Sequence, residues 1–514
     1  MNSKENYIFW RLAEFFISKQ DYRLIQMKAN DQELWLENLA NKRSQIIRLV
    51  RHDLDWSNWM QRDIETTAVL GERFRKRYVK GDLQIINLYI TPFPPVDDYQ
   101  YRIEKAFRIP GNEKTHVTTI LILSDQLEQS LGLLNDRLEG SIELTLQQEF
   151  DEMDIQKLKQ SLLEQTAKRV KKEREMFENG KPVFTYILLA IQILVFLLME
   201  VKGSSTSSAT LIQFGAKINP LILDGEWWRF LTPVFLHIGT LHLLMNSIAL
   251  FYVAPLVERI FGNGRFLFIY LFAGFLGSLA SFVTNPNLSA GASGAIFGCF
   301  GALLYFGTVY PKLFFRTMGM NLLIVIGLNI IFGFSVQGID NAGHIGGLLG
   351  GFLAAGIVHF PKTKKLLFQL LFFVVSAAIV AGGLFYGFGE TTRAVDVNSS
   401  LVLADMYVDN GEYDRAYNIL TEAVALDEKT PELLFQLSYV EIKKGMTDQA
   451  KKHLQSAIKK DPSFHEALYN LALIYLSEQK LEKAKELAQE ALKIEPDKSQ
   501  YKDLVEEINK YLAQ

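Results

Sequence analysis

The chain has one cysteine in 514 residues, Cys299, and it sits inside an apolar run. That excludes an internal disulfide framework and any cysteine-built metal site. Charge is scarce over a long central stretch. Only 16 Asp, Glu, Lys and Arg residues fall in the 208 positions from Lys181 to Phe388, whereas the other 306 positions hold the remaining 95. A water-soluble chain does not segregate its charge in this way. Net charge is −3 and no basic stretch is interleaved with aromatics, so nucleic acid is excluded as an expected partner. Lys4, Glu5, Arg11 and Glu14 among the first aromatics speak against a cleavable signal peptide. The pattern is that of a membrane protein with two soluble appendages, and the lipid bilayer is its first partner.

About 20 mostly apolar residues cross roughly 30 Å of bilayer hydrocarbon. Seven stretches are candidates: Val183–Met199, Thr240–Val257, Phe266–Val283, Ser293–Val309, the shorter Asn321–Phe334, Ala342–His359 and Leu366–Phe388. The connections after the second, fourth and sixth carry Arg259 and Arg265, then Lys312 and Arg316, then Lys362, Lys364 and Lys365. Those after the third and fifth carry no Lys or Arg, and Lys168 to Lys181 is dense in both. Retention of positive charge in the cytoplasm puts the N-terminus inside and, with seven spans, the C-terminus outside. The loop from Val201 to Gly239 then lies outside. Its Trp227 and Trp228, beside Glu226 and Arg229, suit the half-wet interfacial layer.

Polar side chains in spans are costly and call for a role. The second, fourth and sixth spans all run inward from the outer face. His242 and Asn246 lie in the first turns of the second, Ser293 opens the fourth, and His344 is in the first turn of the sixth. Four polar groups distant in sequence thus share one depth. Gly294 and Gly298 are four apart, and Gly343, Gly347 and Gly351 repeat that spacing. Such ridges let two helices approach closely in a membrane, which would bring the serine hydroxyl to the imidazole. A serine becomes a nucleophile when such a base takes its proton. His242 and Asn246, at i and i+4, share a helix face and suit an oxyanion hole, with the Ser293 amide adding a donor. The alternative is interhelical hydrogen bonding that only holds the bundle together. His359, near Lys362, reads as a solvated interfacial histidine.

Other hydrolytic chemistries lack their motifs. A zinc enzyme needs His-Glu-x-x-His, and His242 is followed by Leu243; an aspartyl enzyme needs two intramembrane aspartates, and Asp340 stands alone at a helix mouth. A non-catalytic membrane scaffold that binds membrane-protein clients is the competing class.

These residues resemble the rhomboid intramembrane serine proteases. The resemblance rests on Trp228-Arg229, on His242-x-x-x-Asn246, on Gly291-Ala292-Ser293-Gly294 and on Gly343-His344-Ile345-Gly346-Gly347, and spans about Lys181 to Pro361. It implies a rhomboid-like bundle, a six-helix core plus one. It also implies peptide-bond hydrolysis by a Ser293–His344 dyad without a third acidic member or a required cofactor. Oxyanion contacts would come from His242, Asn246 and the Ser293 amide, and the substrates would be transmembrane proteins cut near the outer face.

From about Val397 a 34-residue period is visible: Ala416, Ala450 and Ala484; Ala423, Ala457 and Ala491; Gly411 and Gly445; Pro462 and Pro496. This resembles tetratricopeptide repeats, three helical hairpins with Lys502–Leu512 as a capping helix. Such arrays present a concave surface to protein partners; a plain spacer is the alternative.

Residues 1–180 read as a soluble cytoplasmic α/β domain that regulates the protein or recruits partners. Helical stretches are expected at Ile8–Ile17 and Leu34–Leu39, strands at Leu83–Ile90, Val117–Leu123 and Ser141–Leu146, and a charged helix over Phe150–Glu175. His52, Asp53, Asp55 and Asp63 read either as a solvated surface or as the ligands of a regulatory divalent cation. The cation reading requires a break near Ser57, because one continuous helix would hold Asp63 about 16 Å from His52. The expected fold class is mainly α: a polytopic helical membrane bundle over 181–388, between an N-terminal α/β soluble domain and a C-terminal α-helical repeat domain over 389–514.

Overall fold

The computed structural model describes residues 3–28, 30–79, 81–138, 142, 150–336, 338–389, 397–425 and 430–513. The chain divides into two compact units, Met1–Met176 and Phe177–Gln514.

In the first unit, β1 (Arg23–Met27), β2 (Glu33–Glu37), β3 (Ile46–Arg51), β4 (Leu83–Thr91), β5 (Phe107–Ile109) and β6 (Asn112–Leu123) form one sheet in the order β1-β2-β3-β4-β6-β5. The central β3, β4 and β6 are parallel, and the outer pairs are antiparallel. Parallel strands need both faces covered. Ile47, Leu49, Ile86 and Leu88 face the helices Ser3–Glu14, Leu127–Arg137 and Glu152–Glu175, while Ile46, Val50, Ile85 and Tyr89 face the helix Ser57–Tyr78. The N-terminal helix continues as a π turn over Phe15–Lys19, and Asp151 caps the charged helix with a reciprocal capping box.

The helix expected at Leu34–Leu39 is corrected to strand β2. Leu34 and Leu36 pack into one core and Trp35 packs against the other, so the run shows no polar alternation to mark it as a strand. The strand expected at Ser141–Leu146 lies outside the described residues apart from Ile142, which is buried.

In the second unit, all seven apolar stretches are helical. Five are long enough to cross a bilayer: Val183–Lys202, Gly239–Phe261, Asn263–Thr284, Asn341–Val358 and Leu366–Gly387. Ser293–Val309 has 17 residues and lies largely buried among the others. The fifth candidate is the helix Gly319–Ser335, bent by 72° from the preceding Pro311–Thr317. His359 departs from the solvated reading: it is 4% exposed and its Nδ1 lies 2.7 Å from the Tyr305 hydroxyl. At this end of the bundle the rings of Tyr305 and Phe360 pack against it.

The repeats form as the period requires. Hairpins Val397–Asp409 with Tyr413–Ala425, Pro431–Lys443 with Thr447–Lys460, and His465–Ser477 with Leu481–Ile494 precede a last helix, Ser499–Leu512. The six periodic alanines are 0% exposed, because each sits where two helices touch. Gly411 and Gly445 turn between helices at φ +75°. The first repeat helix sets Leu403 among Ile212, Ile218 and Leu221 of the Val201–Gly239 loop. The same loop meets the end of the seventh apolar helix, where Trp227 stacks on Phe388 at 5.2 Å.

Candidate active site

Ser293 is the first residue of its helix and His344 lies in the first turn of Asn341–Val358. Glycine decides how closely these helices run. A Cβ on Gly347 would lie 2.0 Å from the Gly294 carbonyl oxygen, and one on Gly351 would lie 1.9 Å from that of Gly298. With side chains absent at these levels, the Ser293 Oγ and the His344 Nε2 come within 2.8 Å. Phe297, one turn below Ser293, stacks flat on the imidazole with ring centroids 4.4 Å apart and planes 9° apart. Asp340 caps the histidine helix by accepting the Gly343 N–H at 2.9 Å. It does not bond the imidazole: among the described residues His344 Nδ1 has no hydrogen-bond partner.

His242 of the second span reaches the same point beside Gly291. A Cβ there would meet His242 Nε2 at 3.0 Å and Ser293 Oγ at 3.7 Å, and its φ of +147° is one that favours glycine. Gly291 donates its N–H to the Pro233 carbonyl at 2.9 Å, which sets the entry into the serine helix. His242 Nδ1 accepts the Ile238 N–H at 3.3 Å, leaving Nε2 toward the serine side. Asn246 is buried and donates one amide hydrogen to the His242 carbonyl at 3.0 Å. An amide nitrogen carries two hydrogens, so one remains.

In the Val201–Gly239 loop, Trp228 is exposed while Arg229 is buried. Arg229 pairs with Glu226 at 2.6 Å and donates to the carbonyls of Ile212 and Ala216, both at 2.9 Å. This arginine is an internal brace of the loop. His237, a polar group at the mouth of the second span, is 0% exposed and its ring lies 5.4 Å from that of His242. One neighbour of the pair escaped sequence reasoning, Phe297. An aromatic at Ser293 plus four was the available signal for Phe297, but it is lost in an apolar helix.

The cation reading of the N-terminal cluster is corrected by geometry. The break near Ser57 exists, since the helix starts there, yet the four side chains do not converge. Asp63 is drawn into the sheet, where it binds Arg48 at 2.5 and 3.0 Å and accepts the Tyr89 hydroxyl at 2.5 Å. His52 stacks on Trp59 at 3.8 Å, and Asp53 and Asp55 are exposed. Among the described residues no group of three or more His, Cys, Asp and Glu side chains is placed to hold a metal ion.

A hydroxyl and an imidazole paired inside an apolar helix bundle define the class of intramembrane serine hydrolases. Comparison with known proteins makes this particular. Residues 224–361 match the Rhomboid domain family, and residues 399–432 and 441–508 match tetratricopeptide repeat families. The chain is 40% identical over 443 residues to Rhomboid protease GluP of Bacillus subtilis (strain 168), covering 85% of each chain. It is 30% identical over 238 residues to Rhomboid protease AarA of Providencia stuartii, covering 41% of this chain and 84% of that one. It is 32% identical over 220 residues to RHOMBOID-like protein 5 of Arabidopsis thaliana, covering 38% and 70%. The chain belongs to the rhomboid family: it is a multi-pass membrane protein and a rhomboid-type intramembrane serine protease with tetratricopeptide repeats.

Proposed function

We propose that this protein cleaves transmembrane protein substrates near the outer membrane face, with Ser293 as nucleophile and His344 as general base. The observation that carries the reading is the 2.8 Å approach of Ser293 Oγ to His344 Nε2. His344 takes the hydroxyl proton as Oγ attacks the scissile carbonyl carbon, then returns it to the leaving amine as the tetrahedral intermediate collapses. Water, activated by the same imidazole, hydrolyses the acyl-enzyme. The oxyanion is met by the Ser293 N–H, the His242 imidazole and the second Asn246 amide hydrogen, donors already aimed before charge develops.

The N-terminus is cytoplasmic and the C-terminus extracytoplasmic. Support comes from the alternation of Lys and Arg among the connections, and from the seating of Leu403 on the Val201–Gly239 loop, which puts the repeats on the side where the serine helix opens. The repeats bind protein partners there, the ectodomains of substrates among them.

The test compares the purified protein with Ser293→Ala on a fluorogenic transmembrane substrate in detergent. The variant is expected to lose about three orders of magnitude in kcat or more, with helicity retained. Equal turnover by both forms would leave a scaffold that binds clients without cutting them.

A further inference from the structure

Lys217 is 0% exposed, in the outer loop between the short helices Ser208–Gln213 and Asn219–Leu223. Its ammonium donates to the carbonyls of Asn285 and, at 3.1 Å, Asn287. Its backbone exchanges both hydrogen bonds with Ser289, at 2.9 and 3.0 Å. Residues 285–292 join the helix that ends at Thr284 to the helix that begins at Ser293. The approach to the nucleophile is therefore pinned at Lys217 and again at Pro233, which accepts the Gly291 N–H.

The histidine helix is fixed by its own cap. Asp340 caps it through Gly343, and its own carbonyl accepts the His344 N–H at 3.1 Å. A buried ammonium persists only where hydrogen bonds and opposite charge replace water. Here the ammonium donates to two carbonyls of the segment that leads into Ser293. An apolar side chain would fill the space without that desolvation, but would leave this segment free to shift.

We propose that Lys217 is a positioning residue for the reaction: it holds the segment leading into Ser293 in place and so sets the hydroxyl–imidazole distance. This rests on Ser293 and His344 being the reacting pair. Displacing a reacting group by about 1 Å costs about a hundredfold in rate, so Lys217 acts on turnover and not on substrate binding.

The experiment measures kcat and KM of the full chain in detergent, wild type against Lys217→Met, Lys217→Gln and Lys217→Arg, with Ser293→Ala as the zero. The expected result is a fall in kcat of tenfold or more for Lys217→Met at KM within about twofold. Lys217→Arg, which keeps the charge and the donors, recovers kcat above Lys217→Gln. A folded Lys217→Met with wild-type kcat overturns the proposal, as does a loss expressed in KM alone. If Lys217→Met shows no cooperative unfolding, the remaining two variants decide, and equal kcat for Lys217→Arg and Lys217→Gln overturns it. Turnover retained by Ser293→Ala would instead refute the underlying dyad.

Discussion

Gly347 lies so close over the backbone of Gly294 that a methyl group on it would stand 2.0 Å from the Gly294 oxygen. The obstacle is backbone, not the end of a side chain, so the overlap is relieved only by separating the two helices. Overpacking of this kind costs about 1–3 kcal/mol or more, and the same separation pulls Ser293 from His344. Gly347→Ala is expected to lower the unfolding midpoint in detergent and to reduce kcat by about a hundredfold. Gly382→Ala, at a helical glycine with open space around it, serves as the matched control and should leave both unchanged. Equal behaviour of the two variants would show that close approach is not what the glycine ridge supplies.

Sequence reached the serine–histidine pair because its signals are sharp in a membrane. A polar group in an apolar run is conspicuous, and glycines at every fourth position have few other uses there. Phe297 and Lys217 lacked such signals. A phenylalanine in a span looks the same whether it faces lipid or an imidazole, and a lysine in an outer loop is ordinary until it proves to be 0% exposed. In the soluble unit, Leu34–Leu39 misled because a strand covered on both faces has no alternation. The His52 cluster misled because proximity in sequence does not show that Arg48 claims Asp63 first.

That claim has consequences for stability. Arg48 is buried between Glu33 and Asp63, and Asn87 and Tyr89 complete the network. Removing one partner leaves a buried charge uncompensated, which costs about 3–5 kcal/mol. Asp63→Ala should accelerate hydrogen exchange across β3 and β4 of the full chain while leaving the repeats unaffected. Burial pushes the Glu33 carboxyl up, but the Arg48 hydrogen bond and charge, with Lys28 and Trp35, outweigh it and hold the group below its ordinary 4.5. A folded value below the unfolded one gives stability that is full above about pH 4.5 and fades as pH falls through the folded value. Protection of β2 and β3 should therefore drop on acidification below 4.5, and Glu33→Gln should flatten that drop. An unaltered slope would refute the assignment.

The third repeat carries a conformational cost that the first two avoid. Gly411 and Gly445 take φ +75° at the hairpin turn, and Gln479, 34 residues further on, takes φ +60° with a side chain. All three close the same pair of backbone bonds, Gln479 to Leu476 and Lys480 to Tyr475 in the last case, both at 2.9 Å. The left-handed region costs a non-glycine residue about 1–2 kcal/mol, partly offset by the freedom glycine loses on folding, about 0.5–1 kcal/mol. Gln479→Gly is expected to slow exchange in His465–Ser477 and Leu481–Ile494 by a factor of about two to five, equivalent to the difference of those terms. Faster exchange would mean that the exposed glutamine side chain contributes something the turn geometry does not reveal.

The proposed extracytoplasmic position of the repeats is supported by where they are seated. Leu403 packs among Ile212, Ile218 and Leu221, and Arg229 holds the carbonyls of Ile212 and Ala216, so the first repeat rests on the braced part of the Val201–Gly239 loop. A terminal repeat that exposes its apolar flank is unstable and needs a cap, and the outer-loop helices provide one only if both lie on the same face. The native Cys299 is 0% exposed and gives a low labelling background. In intact cells a membrane-impermeant maleimide should label Glu490→Cys, on the exposed face of the last hairpin, and should spare Lys157→Cys in the charged helix until the membrane is opened. Replacing Leu403 with Asp puts a charge into that apolar seat; it should free the array for proteolytic release from the membrane domain without altering which of the two cysteines is labelled. Labelling of Lys157→Cys first would invert the topology and remove the repeats from the face where Ser293 opens.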